Sequence, residues 1–366
     1  MVLNKLLNKL RGRRSPDDCP PGTLLGSYKV VKLLGRGAWA SVFEVEEVHG
    51  GCRLALKRTL ISELSSKERE VSVNELRLQA SLHHPNLVRY HDGFIEGDKY
   101  LCAVMDLLPA GDLEGMVRAH IKRRRRLPEA DVWSYLLQAC RGLEHLHKHS
   151  IIHRDIKPAN MLLGENGLLT VADLGVAGVL QATCIGTANY MAPEIWKRQC
   201  QTVKADIFSL GAALYELCML RHLFTGATED EVQRRIEGFT AAHAAAAAAE
   251  LLPHYSLELA GLLESMLQAD RDLRPSATEI LERHGTPKRL AALPRPPADA
   301  CTGAVLEACE EEGAPRVLPL LPPVQLTDDL QQLNERLPLP SCGWPNAPGA
   351  AASPSAAVEQ LEEAEA

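Results

Sequence analysis

The sequence predicts an α+β fold in two lobes, a small antiparallel β-sheet carrying one helix and then a larger, mostly helical lobe. The first observation is a set of strand-like runs in the N-terminal third: Tyr28-Lys29-Val30-Val31, Val42-Phe43-Glu44-Val45 and Ala55-Leu56-Lys57. The second is the helical run Asn74-Glu75-Leu76-Arg77-Leu78, placed just before His84-Pro85-Asn86. The third is a polar word near mid-chain, His153-Arg154-Asp155-Ile156-Lys157-Pro158-Ala159-Asn160, followed by Asp173-Leu174-Gly175. It gathers a base, cations and oxygen donors for a metal at fixed spacing.

Each early element has a reason. Gly35-Arg36-Gly37 lies between the first two strands, where glycine lets the backbone approach phosphate oxygens. A plain hairpin turn would read the same way. Ala40 stands where a third glycine is usual, and Trp39 at the tip is either a lid or an exposed aromatic. Lys57 on an apolar strand is a fixed cation that needs a carboxylate to orient it, and Glu75 is the candidate. A solvated lysine and a solvated glutamate are the bland reading of each alone. Their joint spacing before His84-Pro85-Asn86 favours the pair.

Together these words resemble the eukaryotic protein kinase superfamily, serine/threonine type, and are most similar to the NIMA-related (NEK) family. The resemblance runs over about Ser27 to His284. It is carried further by Ala110-Gly111-Asp112-Leu113, Arg126-Leu127-Pro128-Glu129, Val132-Trp133-Ser134-Tyr135, Ala192-Pro193-Glu194 and Leu252-Pro253-His254-Tyr255-Ser256. It implies the bilobal protein kinase fold over 27–285, with an N-lobe at 27–105, a C-lobe at 109–285 and ATP in the cleft between them. Residues 1–26 form a basic amphipathic extension, and 286–366 form a Pro/Ala/Glu-rich tail.

The resemblance also assigns roles. Asp155 orients the substrate hydroxyl and accepts its proton, and Lys157 neutralises the transferring phosphoryl group. Asn160 and Asp173 supply oxygen ligands to Mg²⁺, a hard cation. Gly35, Gly37 and Lys57 hold the ATP phosphates. Val42, Ala55 and Leu162 enclose the adenine, Met105 guards the back of the pocket, the backbones of Asp106 and Leu108 pair with the purine edge, and Asp112 reaches the ribose. Thr183 is the expected regulatory phosphosite, its phosphate paired with Arg154. Thr187 is expected to contact Asp155 and Lys157. Glu194 is expected to pair with Arg274 in a buried link. Gln79 departs from the family, standing where an apolar residue of an internal column with Tyr90, His153 and Leu174 is usual.

The function implied is a serine/threonine protein kinase that phosphorylates protein substrates with ATP and Mg²⁺, NEK-like, with a cell-cycle, centrosomal or ciliary role. The alternative is a catalytically weak kinase-fold scaffold. Such a scaffold is expected to lack one of Lys57, Asp155, Asn160 or Asp173, and all four are present. A kinase of small molecules or lipids has no need of Ala192-Pro193-Glu194, which shapes a peptide groove.

A formal charge of −7 argues against nucleic acid as the main partner. The ten cysteines form no C-x-x-C pairs, so neither a zinc site nor a disulfide framework is expected. No apolar run reaches the length of a membrane span. A cytoplasmic setting is expected, with centrosome, cilium or nucleus implied by the resemblance alone. Residues 1–14 place Leu3, Leu6, Leu7 and Leu10 at helical spacing among basic residues, a pattern for a partner or a membrane surface. The Ala-rich tract 240–250 reads as an insertion that extends the preceding helix, with His243 incidental. The leucine-rich patch 317–339 reads either as a docking segment or as disordered chain.

Overall fold

Period-two burial in the N-terminal strands gives the sheet two apolar faces. The computed structural model describes residues 19–37, 40–97, 99–173 and 188–295, without the side chains of 66–68, 70 and 71. Six strands form the sheet: β1 (Leu24–Leu25), β2 (Tyr28–Arg36), β3 (Ala40–Glu47), β4 (Arg53–Leu60), β5 (Tyr90–Glu96) and β6 (Tyr100–Asp106). Their order is β1-β2-β3-β4-β6-β5, and every pairing is antiparallel. One cluster gathers Val30, Phe43, Val45, Leu54, Leu56, Cys102 and Val104. A second joins Ile61, Tyr90, Leu101 and Ala103 to Val73, Leu76 and Ala80 of helix α1 (Ser66–Ser81). β2 shifts register between Val30 and Lys32 and again between Leu33 and Gly35, which bends the strand that carries the glycines.

The larger lobe follows. After α2 (Leu113–Arg123) and the long α3 (Glu129–Lys148) come a short hairpin, β7 (Met161–Leu163) and β8 (Leu169–Val171), and α4 (Pro193–Trp196). Helix α5 (Lys204–Met219) buries every residue from Ala205 to Cys218, as a helix surrounded by core on all sides must. Around it lie α6 (Glu229–Glu237), α7 (Ala241–Leu251), α8 (Leu257–Met266), α9 (Ala277–His284) and α10 (Pro287–Ala291).

His84-Pro85-Asn86 ties the two lobes together. The Val88 N–H donates to Val171 O at 2.9 Å, and the Val171 N–H returns a bond to Asn86 O at 2.9 Å. The Asn86 side chain donates to Leu169 O at 2.8 Å. Gly142 of α3 lies so close that an added Cβ would sit 2.7 Å from Asn86 O, so only glycine fits that crossing. Two other words from the sequence also meet. Glu129 accepts from the Ser256 N–H at 2.9 Å, and the Tyr255 hydroxyl donates to Leu127 O at 3.1 Å.

The packed unit is longer than 27–285 at both ends. β1 precedes residue 27, and Leu25 is only 1% exposed. At the other end α10 follows residue 285, Leu293 joins the core of the large lobe, and Asn166 donates to Arg295 O at 2.6 Å. The Ala-rich tract does not extend the preceding helix. α6 stops at Glu237 with Gly238 as its cap, and α7 begins afresh at Ala241, burying Ala244, Ala247, Ala248 and Leu251. His243 is not incidental. Its Nδ1 accepts the Thr240 N–H at 3.1 Å, and its ring stacks on Phe239 with centroids 5.6 Å apart.

Candidate active site

The loop 153–160 is held from beneath by one carboxylate that the sequence reading overlooked. Asp206, on the buried helix α5, accepts the backbone N–H of His153 and of Arg154, each at 2.9 Å, and the His147 Nε2–H at 2.9 Å. Burial would raise the Asp206 carboxyl, but the hydrogen bond and charge of His147, then His153, reverse the sign and hold it below the ordinary carboxylate range. A signal was present, since an aspartate inside the apolar run Ala205-Asp206-Ile207-Phe208 has to be satisfied by something. Arg154 adopts φ 70°, a left-handed turn uncommon for a residue with a Cβ. His153 is fully buried, donating through Nε2 to Ala172 O at 3.0 Å and accepting the Asp155 N–H at Nδ1 over 3.3 Å.

With its backbone fixed, the loop presents a tight group. Lys157 Nζ donates to Asp155 Oδ2 at 2.5 Å. Asn160 Nδ2 donates to the same oxygen at 3.0 Å and to the Asp155 carbonyl at 2.8 Å. Asn160 Oδ1 then has no partner among the described residues, which leaves an amide oxygen for a hard cation.

Opposite the loop, Asp173 also takes a left-handed backbone, φ 64°. Its Oδ1 receives Lys57 Nζ across the cleft, bringing together residues 116 apart in sequence. Burial alone would raise the Asp173 carboxyl; Lys57, with His153 and Lys157 behind it, lowers it instead. Burial disfavours the Lys57 charge, and Asp173 together with Glu75 more than restores it. Asn160 and Asp173 thus present carboxylate and amide oxygens, the donor set that Mg²⁺ prefers.

Glu75 sits differently from its sequence assignment. Lys57 forms its ion pair with Asp173, and Glu75 makes no ion pair with Lys57, although each feels the other's charge. Burial pushes the Glu75 carboxyl up to about 7; Lys57 opposes the shift and Asp173 adds to it. One turn onward, Gln79 is buried in the place expected for an apolar residue, with no side-chain hydrogen bond among the described residues. The absent Lys57–Glu75 pair and the polar Gln79 fall on the same face of α1.

The positions assigned to the nucleotide line the junction of the lobes. Val42, Ala55 and Lys57 lie on β3 and β4, with Val42 opposite Lys57 and Ala55 opposite Met105 across the sheet. An added Cβ on Gly35 would meet nothing within 4 Å among the described residues, so no packing among them requires glycine there. The Asp106 N–H is taken by Arg89 O at 3.0 Å, so this residue can offer a purine only its carbonyl. The Leu108 N–H makes no hydrogen bond among the described residues. Asp112 Oδ1 caps α2 by accepting the Gly115 N–H at 2.6 Å, so only part of its carboxylate is left for a ribose, while its backbone forms a β-bridge with Leu162.

Beyond the cleft, Glu194 and Arg274 form a bidentate pair at 2.7 and 2.8 Å, with side chains 4% and 0% exposed. Arg274 donates further to the carbonyls of Gln268, Lys204 and Ala269. The sequence reading also missed Tyr190, whose hydroxyl donates to the buried Glu216. Thr183, Thr187, Leu174 and Trp39, the extension 1–14 and the patch 317–339 lie outside the described residues.

The comparisons with known proteins agree with this geometry. The profile of the protein kinase domain matches residues 28–284. Mouse serine/threonine-protein kinase Nek1 is 34% identical over 271 residues, which cover 72% of this chain and 22% of Nek1. Mouse Nek4 is 33% identical over 267 residues, covering 70% of this chain and 32% of Nek4. Human Nek11 is 32% identical over 273 residues, covering 72% and 41% of the two. The chain therefore spans less than half the length of these relatives.

Proposed function

The chain belongs to the protein kinase family, and from that premise we propose that it transfers the γ-phosphoryl group of ATP to serine and threonine hydroxyls of proteins, in the manner of the Nek kinases it resembles. The observation that carries the reading is the convergence of Lys57 and Asp173 from across the cleft with the Asp155, Lys157 and Asn160 group.

In this reading each residue does one thing. Asp155, steadied by Lys157 and Asn160, receives the acceptor hydroxyl and takes its proton as the oxygen attacks phosphorus. Lys157 stays beside the group in flight and offsets the negative charge on the oxygens of the transferring phosphoryl. Lys57 moves from Asp173 to the nucleotide phosphates, and Glu75, once ionised, holds it in place. Asn160 and Asp173 would hold Mg²⁺, and a bound ion there would spread the charge of the phosphate oxygens. A kinase-fold scaffold is the weaker reading, because no member of the group is missing.

The test is transfer of radiolabel from γ-labelled ATP to casein by the full chain, with Asp173→Ala as control. Phosphoserine and phosphothreonine should accumulate with the parent, and the control should fall by at least about a hundredfold. Labelling equal in both would overturn the proposal. A cytoplasmic setting belongs to the same proposal and is checked by imaging the tagged full chain.

A further inference from the structure

Lys122-Arg123-Arg124-Arg125 closes α2 and runs on past it, four exposed cations in succession. None of these side chains has a partner among the described residues. Their neighbours differ. Arg118 pairs with Glu114 at 2.8 Å, and Arg126 turns inward to donate to Cys218 O at 2.8 Å. The helix dipole favours cations in a last turn, which accounts for Lys122 and Arg123. It does not account for Arg124, the left-handed cap at φ 51°, or for Arg125 beyond it. Four like charges side by side repel one another unless a counter-charge is near. Ile121, 48% exposed, adds an apolar contact beside them.

The counter-charge is available within the chain. Residues 296–366 hold twelve Asp and Glu against two Arg, an excess larger than the −7 of the whole chain. Their first dense block is Glu307 with Glu310-Glu311-Glu312, preceded by Val305 and Leu306. The described residues end at Arg295, whose carbonyl accepts from Asn166 in the turn between β7 and β8. That hairpin also touches the start of α2, where Asp112 bridges to Leu162. From there to the basic strip is the length of α2, about 16 Å for a helix of that size. The dozen or so residues from Arg295 to Glu307 span up to about 40 Å when extended, which leaves slack.

We propose that the acidic segment 307–312 docks on the basic strip 122–125 at the C-terminal end of α2, as an intramolecular cover. Tethering supplies an effective concentration on the order of millimolar, enough for weak exposed pairs to close. Screening at high salt opens them, since the contacts lie at the surface.

Carbodiimide treatment of the full chain, which joins carboxylates to lysine amines, tests the contact directly by mass spectrometry. In about 0.05 M salt the main product of Lys122 should be an intramolecular link to Glu307, Glu310, Glu311 or Glu312. Its yield should fall at least about fivefold in 0.5 M salt. Lys122 linked only to other carboxylates overturns the proposal. A second measurement uses a fluorescent polyglutamate peptide. Replacing the four glutamates (Glu307→Gln, Glu310→Gln, Glu311→Gln, Glu312→Gln) should tighten its binding about tenfold, and adding Lys122→Glu, Arg123→Glu and Arg125→Glu should abolish the gain, with thermal unfolding unchanged. Equal binding by the parent and the glutamine variant overturns it. So does tight binding of a single-stranded oligonucleotide or an anionic lipid vesicle to the parent through the strip, because the acidic segment would then not be its occupant.

Discussion

Glu75 is a carboxylate whose charge depends on pH near neutrality. Burial raises it to about 7, Lys57 opposes the shift and Asp173 reinforces it. A carboxyl raised on folding contributes stability fully below its unfolded pKa, about 4.5, and that contribution is lost as pH rises through about 7. The same ionisation turns Glu75 into a partner for Lys57. We therefore expect kcat/KM for ATP to climb as pH passes through about 7, and Glu75→Gln to erase that limb. Thermal unfolding gives an independent check, since the glutamine variant should gain on the parent between pH 5 and pH 8. At this scale the sequence was readable where chemistry is local, as in Asp155, Lys157 and Asn160, whose side chains meet within one loop. It was not readable where two carboxylates compete for one lysine. Which of Glu75 and Asp173 pairs with Lys57 depends on the placement of α1, which no short word encodes.

Among the elements, α7 shows what a tract of one residue type conceals. Alanine favours helix wherever it falls, so the tract gave no boundary. The stop and start signals were next to it, Gly238 ending one helix and Thr240 opening the next. The Thr240 hydroxyl lies 2.8 Å from His243 Nδ1, which also accepts the Thr240 N–H. Thr240→Ala should destabilise the protein by about 1 kcal/mol in urea unfolding, the usual effect of losing such a cap. The strands were easier to read, because alternation marks them residue by residue. β1 escaped notice since two residues are too few to alternate.

For the whole molecule, the buried pair Glu194–Arg274 joins the segment after the cleft to the far end of the large lobe, 80 residues away. Arg274 is fully enclosed and also donates to three carbonyls, so removing it strands a carboxylate and several acceptors together. Arg274→Ala should lower stability by about 3–5 kcal/mol in denaturant unfolding. The paired change Glu194→Leu with Arg274→Met should recover part of that loss, because no isolated charge then remains in the interior. This link was legible only through family likeness. Nothing in Leu273-Arg274-Pro275 alone names its partner. The true ends of the packed unit were not legible either, since Leu25 and Leu293 are held by distant neighbours and not by local pattern.

Asp206 has a consequence for motion. Its two oxygens hold the amides of His153 and Arg154 from a helix with no exposed side between Ala205 and Cys218. Those amides cannot meet solvent through a local fluctuation of their own loop; the lobe beneath must come apart first. In hydrogen–deuterium exchange they should be among the slowest in the protein, matching the amides of α5. Fast exchange there would mean that this loop breathes independently of the core that anchors it.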